Sequence, residues 1–310
     1  MTITAWAVTT GETGMRTQAR GLARAVADEV VEKTLSRQWL ASRSEPVDRL
    51  APPWPDLIVS CGRRSVRQVL AARKASGGRT LAVHIQDPRF GTPGFDLIIA
   101  MEHDAIRARP RVIKVATALH DLTPQNLDAA GNLWADRLAS LGHPLVGVMV
   151  GGDLRGRPFG PADGLRLLAG LQRLKSGSGG ALAITPSRRT PDHVLALLGE
   201  AFAGDSSVFL WDRTGENPYR GILALADRLV VTSDSVSMVS EALATPHPVE
   251  LFDLGFRRHA RFIQGLVERG LARRFEGDPS PPDTTGPVNA TLEAAAVVRK
   301  LLQARTGVSG

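Results

Sequence analysis

Short apolar runs recur along the whole chain, and segments of helical period lie between them. Residues 3–8 predict a first strand, and after a glycine turn a helix is expected from about 14 to 31. Runs at 57–60, 81–85, 97–100 and 112–115 predict buried strands, and 125–141 predicts a long helix. The pattern restarts at GHPLVGVMVGG. Strands are expected at 146–150, 181–185, 208–211, 229–232 and 249–252, with helices at 161–175, 191–202, 218–226 and 235–244 between them. The stretch 276–287 is rich in Pro, Asp and Thr and predicts a loop, and a last helix is expected over 290–304. Strands and helices that alternate at these lengths predict an α/β protein with parallel sheets covered on both faces.

Both halves open alike, with a strand, a glycine turn (Gly11 to Gly14; Gly151-Gly152) and a helix. This predicts two Rossmann-like, doubly wound domains, 1–143 and 144–288, joined near 141–145, with 289–310 as a C-terminal helix and tail. Ligands of such sheets bind outside the C-terminal strand ends. The expected site is a cleft between two facing domains.

Composition narrows the chemistry. The chain has 310 residues, 43% hydrophobic and 22% charged, as in a soluble globular protein of two domains. No apolar run approaches the roughly 18 residues of a membrane span. The N-terminus lacks a signal-peptide pattern, and the single Cys61 excludes an internal disulfide and a cysteine metal cluster. The expected location is the cytoplasm, with peripheral attachment at the inner face of the membrane as a further expectation. A net charge of +7 points to anionic partners: nucleic acid, nucleotide phosphates or an anionic membrane. Aromatics are 5% of the chain and interleave with no basic run, which argues against nucleic acid. Apart from Lys33, Lys74, Lys114, Lys175 and Lys300 the basic residues are all Arg, a bias that a GC-rich genome also produces.

The densest candidate chemistry is VTSDSVSMVSEALATPHPVEL (231–251). Ser233, Asp234 and Ser235 fall between a strand and a helix, where free N–H groups and the helix dipole favour an anion. Ser237 adds a hydroxyl, and Glu241, two turns on, is placed to accept from a ribose diol. The plainer reading makes Asp234 or Ser235 an N-cap and Glu241 a solvated side chain. In ITPSRRTPDHV, Ser187, Arg188 and Arg189 end a strand, and an Arg pair there can clamp a diphosphate; a solvated pair is the alternative. Thr190 is the expected N-cap and Pro191 the first helical residue. VGGDLRGRPF carries Gly151, Gly152, Arg155 and Arg157, and has neither a P-loop nor a G-x-G-x-x-G ending.

In the first half, Gly11 and Gly14 permit close approach of a ligand, with Gln18 one turn beyond Gly14. HIQDPRF brings His84 and Asp87, and MEHD brings Glu102 and His103, to strand ends as candidate general bases. Each histidine has the plainer reading of a structural hydrogen bond. His120, His247 and His259 are expected to be structural or on the surface. No H-x-x-x-H, H-E-x-x-H or D-x-D spacing occurs, so no metal is expected.

Taken in order, G-x-x-x-Q-x-x-G-L-A (14–23), HIQDPR (84–89), MEHD (101–104), TPSRRTP (185–191) and GENPYRGILALADRLVVTSDSVSMVSEA (215–242) resemble the mitochondrial fission family named for elongated mitochondria (ELM), with its bacterial relatives. The resemblance spans nearly the whole chain, and the 215–242 block, with Asn217, is its most specific part. The chain has Thr17 before Gln18, where the family pattern leads one to expect Asn. The resemblance implies the GT-B fold of glycosyltransferases, whose second domain takes a nucleotide sugar, commonly without a metal ion. Ser233, Ser235, Ser237 and Glu241 match by position the residues that hold phosphate and ribose in that layout. Plant members are linked to recruiting a division GTPase to mitochondria; this N-terminus shows no Arg- and Ser-rich presequence.

Three functions are consistent with these residues. A glycosyltransferase-like enzyme would hold a nucleotide-sugar donor on Glu241, Ser235, Arg188 and the Gly151–Gly152 turn. Asp87, Glu102 or His103 would then deprotonate an acceptor at the first domain. A scaffold protein would use the same fold without catalysis, at a membrane or in division. A nucleotide-sugar epimerase or hydrolase would draw its acid and base groups from His84, Asp87, Glu102 and His103.

Overall fold

The computed structural model describes residues 2–36, 48–154, 156–257, 259–284 and 286–306. In chain order the first elements are β1 (Thr4–Thr9), α1 (Thr13–Val26), β2 (Glu29–Thr34), β3 (Leu57–Cys61), α2 (Val66–Ala75), β4 (Leu81–Ile85), β5 (Leu97–Met101) and β6 (Val112–Val115). Then come α3 (Pro124–Ala139), β7 (Leu145–Val150), α4 (Pro161–Ser178), β8 (Ala181–Pro186), α5 (Asp192–Ala201), β9 (Val208–Leu210), α6 (Tyr219–Leu225) and β10 (Arg228–Thr232). The chain ends with α7 (Val236–Leu243), β11 (Val249–Phe252), α8 (Ala260–Glu268), β12 (Arg273–Arg274) and α9 (Ala290–Thr306). It divides into one unit of 1–121 with 289–310 and a second of 122–288. The division therefore falls ahead of α3, not near 143, and α9 belongs to the first unit instead of standing as a separate tail.

Among the described residues the first unit carries a parallel sheet in the order β2-β1-β3-β4-β5-β6. Side chains alternate across it, as the pleat requires. Ala5, Ala7, Leu57, Val59 and Cys61 face α1 and α9, whereas Trp6, Val8 and Ile58 face α2. On α1 the buried positions Gln18, Ala19, Leu22, Ala23 and Val26 recur at helical spacing and seat that face on the sheet. A Cβ at Gly21 would overlap the His120 carbonyl, so only glycine lets α1 approach that segment. Opposite it, His120 N–H donates to the Thr291 hydroxyl at 2.8 Å, and that hydroxyl donates to the His120 carbonyl at 2.9 Å. The helix expected to run to 31 stops at Val26. Ala27 turns extended, and Asp28 accepts from the Ile3 N–H at 2.7 Å, which starts β2 as an edge strand beside β1. The alternation in EVVEKT, half-exposed and exposed, carried that signal. The helices α2 and α8 and the short β12 have no counterpart among the expected elements.

In the second unit the sheet order is β12-β11-β10-β7-β8-β9, again all parallel. Numbered within the unit this is the 3-2-1-4-5-6 order of a dinucleotide-type Rossmann sheet, and it reverses between β7 and β10. Leu145–Val150 is buried throughout, as a central parallel strand covered on both faces must be. Thr123 and Asn126 form a reciprocal capping box that starts α3, with Pro124 at its first position. Gly221 lies against the Trp134 ring, and Gly131 faces Ala224 and Leu225, which lets α3 and α6 pack closely. The stretch 276–287 has no regular structure among its described residues.

At the N-terminal edge of this sheet, Glu250 is fully buried between Arg228 and Arg273. Arg228 also donates to the Pro279 and Asp278 carbonyls at 3.0 and 2.9 Å, and Arg273 to that of Ser280 at 2.9 Å. The pair thereby fastens the 278–280 loop to the sheet. Removing one partner of such a cluster strands buried charge, at a cost of about 3–5 kcal/mol. Glu250→Ala is therefore expected to lower unfolding free energy by that order, read by urea denaturation followed by circular dichroism.

Candidate functional site

In the second unit the strand ends at the β7/β10 reversal meet through Asp234. Its side chain is fully buried, and its carboxylate accepts from Gly152 N–H at 2.9 Å, Arg189 Nη2 at 2.8 Å and the Thr232 hydroxyl at 2.6 Å. The Gly151 N–H donates to Thr232 Oγ1 at 2.7 Å. A Cβ at 151 would overlap the carboxylate, and one at 152 the Arg189 carbonyl, so this turn requires both glycines. Arg189 Nη1 reaches the Asp153 carbonyl at 2.8 Å. The Arg188–Arg189 pair expected as one clamp is thus split, because Arg189 is held by Asp234. Thr190 does not cap α5. Its hydroxyl lies 2.8 and 2.6 Å from the Val150 and Gly151 carbonyls and accepts from Ser187 N–H, while Pro191 takes the N-cap position.

The hydroxyls after β10 divide in the same way. Ser233 is buried, with its oxygen between Asp253 Oδ1 at 3.2 Å and Leu254 N–H at 3.0 Å, so it joins β10 to the loop after β11 and does not face a ligand. Ser235 is the N-cap of α7 and accepts from Met238 N–H at 3.4 Å. Ser237 is half-buried in the first turn of α7. Glu241 accepts from the hydroxyl of Tyr219, the single tyrosine of the chain.

Beside these strand ends lies a cavity of about 350 Å³, inside the roughly 300–1,000 Å³ range of small-molecule sites. Met149, Trp211, Tyr219 and Met238 wall it, and Ser187, Arg188 and Asn217 supply polar groups. Arg213 also lines it, at a left-handed backbone position (φ 72°). It donates to the Ser187 carbonyl at 3.1 Å and to that of Thr190, and pairs with Asp192 at 3.0 Å, fixing the 187–190 loop. Sequence reasoning missed the walls of this cavity. The signal available was an aromatic at each end of the 211–219 loop. A second hollow, of about 600 Å³, runs along α3 and β9 and shares Trp211. Arg137 lies over its Phe209 ring at 4.5 Å. Arg155 lies outside the described residues. Arg157 pairs with Asp163 in the first turn of α4 at 2.9 Å.

In the first unit Gly11 has φ 88° at the end of β1, Gly14 lies in the first turn of α1, and Gln18 is buried on that helix. The β4 and β5 strands are neighbours in the sheet, so Asp87 after one and Glu102 and His103 after the other leave the same edge of it. Two residues of this corner, Gln86 and Arg89, have left-handed backbones (φ 78° and 65°), strain of a kind that collects at functional sites. Asp87 accepts from Arg89 N–H at 2.8 Å. Lys114, which sequence reasoning did not single out, donates to the Asp104 and Ile106 carbonyls at 3.0 and 3.1 Å. Burial lowers its pKa, against the fields of Asp104, Glu102 and Asp87. His84 does not join this edge. It is fully buried, its Nδ1 2.8 Å from Ser60 Oγ, its ring 4.9 Å from that of Phe95 and its Nε2 unpartnered. His84 is a core histidine. Among the described residues no group of three or more His, Cys, Asp or Glu is placed to hold a metal, and no helix is long and apolar enough to cross a membrane.

Two parallel sheets of this kind, the second in the 3-2-1-4-5-6 order, define a GT-B-like α/β protein. Solved structures agree. UDP-GlcNAc 2-epimerase from Methanocaldococcus jannaschii matches with a TM-score of 0.62 at 13% identity, over 97% of this chain and 99% of that one. MurG from Acinetobacter baumannii matches with a TM-score of 0.50 at 15% identity, over 98% and 93%. At these identities the likeness is one of fold. The family described as Mitochondrial fission ELM1 matches residues 13–302, and the chain belongs to that family. Mitochondrial fission protein ELM1 of Arabidopsis thaliana is 31% identical over 277 residues, covering 81% of this chain. The match spans 65% of the plant protein's own length. An uncharacterized protein of Rickettsia prowazekii, RP120, is 24% identical over 96% of this chain and 98% of its own.

Burial holds the pKa of His84 and of His120 down to about 4, from an ordinary 6.5. Between those values the unfolded chain binds protons that the folded one does not, so the stability that the neutral rings contribute above pH 6.5 is lost as pH falls toward 4. Each histidine is expected to cost up to about 1.4 kcal/mol per pH unit across that window. Replacing His84 by Phe and His120 by Gln should flatten the fall, measured as denaturation free energy against pH.

Proposed function

We propose that the second unit binds a nucleoside diphosphate sugar and that the protein transfers the sugar to a hydroxyl acceptor. The observation that carries this reading is the 350 Å³ cavity at the C-terminal ends of β7 and β8. Its apolar and aromatic walls suit a nucleobase, and Arg188 and Asn217 supply charge and hydrogen bonds at its rim. Tyr219 and Glu241 stand as the ribose-binding pair, and the N–H groups of Val236 and Ser237, with the Ser237 hydroxyl, as phosphate donors. Fold neighbours named for UDP-GlcNAc make uridine nucleotides the first donors to try.

In the proposed reaction the acceptor oxygen bonds to the sugar C1 while the C1–O bond to the diphosphate breaks. The diphosphate leaves with the electron pair, and Arg188 and the α7 N-terminus stabilise its charge. The acceptor proton passes to one of Asp87, Glu102 or His103 on the first unit. No metal is required in this scheme. The acceptor is proposed to lie at an anionic membrane surface, in keeping with the net charge of +7. One observation favours a second reading, a scaffold without catalysis: the glycine turn that usually receives phosphate already gives its Gly152 N–H to Asp234.

Titrating uridine and guanosine diphosphates and their sugars into the protein should raise its melting temperature. Trp211→Ala and Glu241→Ala should each weaken that response at least tenfold in ligand concentration, and EDTA should leave it unchanged. If none of these nucleotides shifts the wild type at millimolar concentration, the scaffold reading replaces this one. Once a donor is known, Asp87→Asn, Glu102→Gln and His103→Ala separate the acceptor base. One of them is expected to lower kcat by about 10²–10⁴-fold with donor binding intact, read by release of the diphosphate.

A further inference from the structure

In a 3-2-1-4-5-6 sheet the turn after the first strand, at the reversal, is the ordinary seat of a diphosphate. Here that turn is Gly151–Gly152, and its surroundings have the composition of an anion site. A backbone N–H, a guanidinium and a hydroxyl converge on one point at 2.9, 2.8 and 2.6 Å. That point is the carboxylate of Asp234, fully buried and carried on the neighbouring strand end. The next anion position along the chain is filled in the same manner. The first turn of α4 begins with Pro161, which has no N–H, and holds Asp163 between Arg157 and Arg166 at 2.9 and 3.0 Å. By contrast α7, beside the cavity, has no acidic residue in its first turn.

We propose that Asp234 is a resident anion that occupies the phosphate seat of the Gly151–Gly152 turn and excludes ligand phosphate from it. The residue is then specificity-determining. It keeps Arg189 and the glycine turn in the geometry of an occupied site, and it directs any phosphorylated ligand to the Arg188 and α7 side of the strand ends. That last consequence rests on the nucleotide reading above. The exclusion itself does not, and it is tested with inorganic phosphate in the absence of nucleotide.

The experiment compares the wild type, Asp234→Ala and Asp234→Ala/Arg189→Ala by thermal unfolding, with phosphate titrated against chloride at constant ionic strength. Asp234→Ala is expected to be destabilised and then rescued. Its melting temperature should rise saturably, by about 3–6 °C at tenfold excess over Kd, while the wild type does not respond and the double variant loses the rescue. An equal response of the wild type and Asp234→Ala overturns the proposal. So does a folded Asp234→Ala that ignores phosphate, or one that formate rescues and phosphate does not, since the seat would then hold a carboxylate only. If Asp234→Ala does not fold in either buffer, Asp234→Asn, which keeps the shape and removes the charge, decides. A phosphate response above that of the wild type supports the proposal, and none overturns it.

Discussion

A carboxylate buried at the parting of β7 and β10 has to be met by donors, because an unpaired charge there would cost several kcal/mol. Asp234 imposes that demand on everything around it. It draws in the Gly152 N–H, the Thr232 hydroxyl and Arg189. With no room for a Cβ at 151 or 152, the turn is confined to glycine. Arg189 in turn ties the end of β8 to the turn after β7 through the Asp153 carbonyl, and Thr190 and Arg213 complete the brace. What remains outward at the end of β8 is Ser187 and Arg188, and these form the rim of the cavity. The candidate site is thus the space left open once the buried charge has been satisfied.

The strand–helix alternation was legible because parallel strands covered on both faces are written as short continuous apolar runs. β3, β4 and β7 are buried along their whole length and were found within a residue or so of their ends. β2 was lost because its first half is exposed and its EVVEK pattern follows a helix without a proline or glycine to mark the stop. The unit boundary was misplaced for a related reason. The helix 124–139 has no sequence mark saying which core it serves, and only its contact with α6 through Gly131 and Gly221 assigns it to the second unit.

Site residues were legible by type and strand end, but not by direction. Ser187, Arg188 and Asn217 line the cavity, whereas Ser233, Asp234 and Arg189 from the same stretches turn to one another or to the backbone. His84 and Asp87 are three residues apart, yet one is sealed in the core and the other lies at the strand-end corner with Glu102. Strand alternation decides such cases, and a shift of one residue in the assumed strand end reverses the answer. Trp211 and Tyr219 escaped notice because one follows β9 and the other opens α6, with no shared pattern to link them, and only folding brings both to one cavity.

On this reading the second unit takes a nucleotide in the cavity beside α7 while its glycine turn stays closed by Asp234. A crystal structure grown with a uridine or guanosine diphosphate sugar tests it most directly. The expected result is a base against Trp211 and Met238, phosphates on the Arg188 and α7 side, and Asp234 still accepting from Gly152 N–H. Phosphates seated on Gly151–Gly152 with Asp234 displaced, or a cavity without ligand at saturating concentration, would contradict it.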